Sequence, residues 1–108
     1  MNYQKEFILF FTNAERHTVS AEARLLWLAL LWANFRSGPK KECTADNELL
    51  MKRAALNQES FNRAKDELIE EGYVELREEY ETSTTYRLIP QEIVFNEKDE
   101  VMEKASLR

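Results

Sequence analysis

The stretch from Asp46 to Gly72, DNELLMKRAALNQESFNRAKDELIEEG, constrains this chain more than any other. Leu49, Leu50 and Ala54 share one helical face, and Asp46 or Asn47 stands where a side-chain oxygen can accept the unpaired N–H groups of a helix start. Ala55, Leu56 and Asn57 then form a turn. Asn57 caps a second helix, Glu59 suits the positive end of its dipole, and Phe61, Ala64, Leu68 and Ile69 supply a buried stripe that Gly72 ends in the left-handed conformation. Two short helices so joined are either a plain helical hairpin or a helix-turn-helix, whose second helix enters the DNA major groove. The outer face of that second helix carries Gln58, Glu59, Asn62, Arg63 and Asp66. Asn and Gln bond adenine bidentately and Arg does so to guanine, which makes Gln58, Asn62 and Arg63 the candidate base contacts.

Upstream, Val19 and Ser20 read as staple and N-cap of a helix whose span from Ala23 to Phe35 is apolar almost all round, apart from Arg24. The run Leu25 to Ala33 is therefore expected at the buried centre, ended by Ser37, Gly38 and Pro39. Trp27 and Trp32 inside that run read as core residues rather than as a base-stacking pair. Earlier still, Tyr3, Phe7, Phe10 or Phe11, and Ala14 fall at helical spacing, which favours a helix over a short buried strand. The apolar cluster Phe7 to Phe11 is either core or a homodimer interface, since a small domain has little with which to cover it.

Lys40 and Lys41 occupy an exposed connection, and Glu42 to Ala45 suit a short strand. After Gly72, Tyr73, Val74 and Leu76 and then Tyr86, Leu88 and Ile89 read as two strands bridged by Arg77 to Thr85, giving a hairpin from about Tyr73 to Ile89 that Pro90 closes. This order predicts an α+β winged helix-turn-helix: a three-helix core, a C-terminal β-hairpin wing and a short N-terminal apolar helix or strand. One domain over residues 1–95 accounts for the chain, with Ile93, Val94 and Phe95 folding back on the core and residues 96–108 forming an acidic tail.

Net charge is −5, which sits awkwardly with a nucleic-acid partner, but it is unevenly spread. Residues 1–39 carry four basic and three acidic side chains (+1), residues 40–65 six and four (+2), and residues 66–108 five and thirteen (−8). Local field governs a phosphate contact, because charges beyond ~10 Å are screened. Candidate phosphate contacts are Lys40, Lys41, Lys52, Arg53, Lys65 and Thr84, the last with Thr82, Ser83 and Thr85 at the tip of an otherwise acidic wing of Glu78, Glu79 and Glu81.

No catalytic, metal or cofactor constellation emerges, so an enzyme is not expected. His17 and Cys43 are each alone of their type, and Gly38 and Gly72 cannot build a phosphate loop. Asp66, Glu67, Glu70 and Glu71 read as a solvated helix face rather than a cation site. One cysteine, no leader-like segment and no apolar run near the ~20 residues that cross a bilayer predict a cytoplasmic protein without membrane contact.

The segments SAEARLLWLALLWAN, NELL and above all SFNRAKDELIEEGYVEL resemble the winged-helix N-terminal domain of phage replisome organisers and DnaD-like primosomal proteins of Gram-positive bacteria, over roughly Val19 to Pro90. The resemblance implies binding of double-stranded DNA at a replication origin, assembly with replication proteins and self-association. The chain departs from that family in lacking, within its 108 residues, the usual second domain, and in its acidic wing. A small transcription regulator of the same fold, or a winged helix serving as a protein-interaction module, are the alternatives.

Overall fold

A computed structural model describes residues 2–38 and 42–91. In chain order these form α1 (Tyr3–His17), α2 (Ala21–Ser37), β1 (Glu42–Asp46), α3 (Asn47–Ala54), α4 (Gln58–Glu70), β2 (Val74–Glu79) and β3 (Ser83–Leu88). Four helices and one antiparallel sheet of order β1-β3-β2 make an α+β domain, an arrangement compatible with a winged helix. Among the described residues no helix is long and apolar enough to cross a membrane.

Helix α2 is the post on which the other helices stand. Ser20 caps it, its hydroxyl oxygen accepting the Ala23 N–H at 3.1 Å. Leu26, Trp27, Ala29 and Leu30 face inward, but Leu25 is 43% exposed, so the Leu25 to Ala33 run is not buried throughout. The reason is geometric: α1, α3, α4 and β1 pack on α2 but do not enclose it on every side, and Leu25 falls on the side left open. Arg24, the one charge between Ala23 and Phe35, donates to the Val19 carbonyl at 2.9 Å and to the Ala14 carbonyl in the last turn of α1 at 3.2 Å.

The N-terminal segment is the helix its spacing predicts. It runs antiparallel to α2, with the Tyr3 hydroxyl donating to Asn34 Oδ1 at 2.6 Å and the Phe10 ring stacked on Trp27 at 4.0 Å and 7°. Phe10 is fully buried and Phe11 packs on the core, leaving Phe7 at 46% exposure as the open member of the cluster. The apolar surplus offered to a second copy is thus smaller than five consecutive residues suggest.

The hairpin is tighter than its sequence implied. Its strands run on through Glu79 and resume at Ser83, so Tyr80, Glu81 and Thr82 alone connect them, in place of a bridge from Arg77 to Thr85. Polar residues extend the ladder because the outer sheet face meets solvent: Glu42, Glu75, Arg77 and Arg87 form ion pairs there at 3.1–4.0 Å, and Thr44 and Thr85 share a hydroxyl bond of 2.7 Å. Arg77 sits at the register shift between Leu76 and Glu78.

Helix α3 ends in Ala55 at φ 57°, with the Leu56 N–H reaching back to the Met51 carbonyl at 2.9 Å. A left-handed cap normally belongs to glycine, because a Cβ there crowds its own carbonyl. Ala55→Gly is therefore expected to raise stability by up to ~1 kcal/mol, a gain that a urea unfolding curve would register as a higher midpoint with unchanged slope. A lower midpoint would mean that the flexibility added to the unfolded chain outweighs the relief of this strain.

Candidate nucleic-acid interface

Helix α4 is fixed at both ends by its own sequence. Asn57 Oδ1 accepts the Ser60 N–H at 2.8 Å while Ser60 Oγ accepts the Asn57 N–H at 3.0 Å, a reciprocal cap. Asn57 was legible as a cap; its partner Ser60 was not, although a hydroxyl three residues on is the signal. At the other end Gly72 takes φ 80°, and the Gly72 and Tyr73 N–H groups bond the Ile69 and Leu68 carbonyls at 3.2 and 2.9 Å.

Docking sets which way α4 faces. Ser60, Phe61, Ala64 and Leu68 are buried, and Glu67 accepts both the Ser20 N–H (2.8 Å) and the Ser20 hydroxyl (2.7 Å), tying α4 to the start of α2. Gln58, Asn62 and Arg63 consequently lie on the exposed side, together with Glu59 and Asp66. Gln58 Nε2 donates to Asn62 Oδ1 at 3.1 Å, pre-aligning two amides one turn apart. Arg63 is held by Glu22 at 3.1 Å and by Glu59 at 3.3 Å.

The candidate phosphate contacts are scattered. Lys52 is exposed at the end of α3. Arg53 turns instead to Trp32, its guanidinium carbon 3.4 Å from the ring centroid. Lys65 is only 17% exposed, bonded to Glu79 at 3.2 Å and lying over the Phe61 ring, so it fastens the hairpin to α4. Thr84 corrects the sequence reading: it is 2% exposed, and its hydroxyl donates to Asn47 Oδ1 at 2.9 Å, leaving nothing for a phosphate. Thr84 pairs with Glu79 of β2 next to the hairpin tip, but it also stands opposite Ala45 of β1 and its side chain faces the core. Thr85 is buried as well, while Thr82 is exposed at the tip, its carbonyl accepting the Asn47 N–H at 2.9 Å. Lys40, Lys41, Ile93, Val94, Phe95 and residues 96–108 lie outside the described residues.

What emerges is a polar helix face beside a hairpin pinned to it by one ion pair, with acid on both: Glu59 and Asp66 on α4, and Glu78, Glu79 and Glu81 on the hairpin. Amide groups read an edge of a base without needing net positive charge, whereas phosphate attraction does need it. No protein-family model, curated protein or solved structure matches the chain.

Proposed function

We propose that this chain is a winged-helix protein that binds double-stranded DNA in a sequence-specific way, with α4 as the reading helix, and that it serves replication initiation like the replisome organisers it resembles. The observation that carries the reading is the outer face of α4: Gln58, Asn62 and Arg63 stand exposed on a capped helix whose opposite face is fully used in packing. The ion pairs of Arg63 do not forbid the role. Exposed pairs are worth ~0–1 kcal/mol, while a bidentate arginine–guanine contact supplies ~1–3 kcal/mol of discrimination, so a matching base displaces Glu22 and Glu59.

Selection from a randomised duplex library at low salt tests this. A defined site should emerge, against which Arg63→Ala loses ~1–3 kcal/mol while non-specific binding stays unchanged. Lys52→Gln should weaken all sequences alike and lower the salt slope by about one. Glu22→Gln, which frees Arg63, should bind the site at least as tightly as the parent. Full site preference in a folded double variant, Asn62→Ala with Arg63→Ala, would remove α4 as the reader. The acidic hairpin and the pairing of Lys65 with Glu79 favour a second reading, a winged helix used as a protein-interaction module. It takes over if no duplex is enriched.

A further inference from the structure

A groove of about 420 Å3 between the C-terminal half of α2, β1 and α3 has no part in that reading, and no residue of α4 or of the hairpin lines it. Trp32, Leu49 and Leu50 give it apolar walls, and Arg36, Asp46 and Arg53 bring charge to it. Trp32 is half-buried, whereas Trp27 five residues earlier is 3% exposed. The Arg53 and Arg36 guanidinium carbons lie 3.4 and 5.6 Å from the Trp32 ring centroid.

These two arginines differ from Arg24, Arg63, Arg77 and Arg87. Arg63, Arg77 and Arg87 sit in ion pairs and Arg24 caps backbone carbonyls, while Arg36 and Arg53 have no carboxylate partner among the described residues. In a chain of net charge −5, two guanidiniums that rest on an indole with their N–H forks unused are a local surplus of donors. Beside them Leu49 is 42% exposed, an apolar side chain left open at the groove.

We infer that this groove docks an acidic segment of a partner protein. A leucine- or phenylalanine-sized side chain enters beside Trp32 and Leu49, and carboxylates flanking it take the forks of Arg36 and Arg53. The charge pattern selects a peptide over a nucleic acid. A polynucleotide brings a phosphate with every residue and needs a stripe of cations, but among the described residues this groove offers two, and Asp46, which caps α3 by accepting the Leu49 N–H at 3.0 Å, adds an anion to the lining. The inference does not rest on α4 reading DNA.

The experiment is a display selection of random twelve-residue peptides on the immobilised protein, followed by NMR titration of the enriched peptides. The expected winners pair Asp or Glu with Leu or Phe, shift the indole N–H resonance of Trp32 while leaving that of Trp27 in place, and weaken as salt rises. Arg36→Gln combined with Arg53→Gln, both at exposed positions, should lower their affinity on the order of tenfold or more, while the amide spectrum stays dispersed. Basic or uncharged winners, winners indifferent to the double substitution, or a Trp32 shift produced more strongly by single-stranded dT12 than by any peptide would each overturn the inference.

Discussion

Trp27→Ala is expected to cost the domain ~3 to 5 kcal/mol, a large share of the ~5 to 15 kcal/mol that holds a protein of this size. The indole is 3% exposed and lies flat on Phe10, with Phe11 edge-on at 6.3 Å, and Tyr73 meets the edge of the same Phe10 ring at 4.9 Å. Truncation would leave a void between α1 and α2 that neither helix can close without breaking the Tyr3–Asn34 bond at the far end of α1. Urea unfolding should show a midpoint far below that of the parent, and near-ultraviolet circular dichroism should lose the Trp27 signal. An unchanged midpoint would show that this indole does not fill the core.

Alkaline stability should report a second buried ring. Tyr86 is 1% exposed, and its hydroxyl lies near the Thr84 side chain, whose own proton is given to Asn47 Oδ1, so it makes no hydrogen bond of normal geometry among the described residues. Burial pushes its pKa from 10.0 up to about 12. The folded state thus keeps a proton that the unfolded chain releases, so stability is whole below pH 10 and falls as pH rises towards 12. Two pKa steps correspond to roughly 2 to 3 kcal/mol. Tyr86→Phe has no proton to lose, so the gap between parent and variant should shift in the variant's favour from pH 9 to pH 11. At neutral pH the variant should be no less stable, since an unpaired buried hydroxyl contributes desolvation cost without a bond. Parallel losses in the two proteins would place the alkaline sensitivity elsewhere.

Local chemistry was the most legible part of the chain. Ser20, Asp46 and Asn57 all cap helices where their side chains precede apolar periodicity, and Gly72 takes the left-handed cap, because such signals act over three or four residues. Thr84 was misplaced because its surroundings come from β1, some forty positions earlier in the chain. It was nonetheless detectable, since Thr84, Tyr86 and Leu88 alternate along one face of β3. On the candidate site, the exposure of Gln58, Asn62 and Arg63 followed from the apolar stripe opposite them. The attachment of Arg63 to Glu22 and of Arg53 to Trp32 did not, because each joins helices whose relative placement no periodicity encodes.

The sheet order also governs when the fold can be completed during synthesis. β3 is the central strand and the last described element of regular structure, pairing with β1 on one side and β2 on the other. While residues before Ser83 are emerging, β1 and β2 have no ladder partner, although α3 and α4 can already pack on α2. A nascent chain therefore passes through a helical stage with two open strand edges. Both strands carry acidic residues: Glu42 and Asp46 on β1, and Glu75, Glu78 and Glu79 on β2. Like charges keep such edges from pairing with those of neighbouring chains, so part of the acidity that weakens this surface for nucleic acid protects the polypeptide before its final strand arrives.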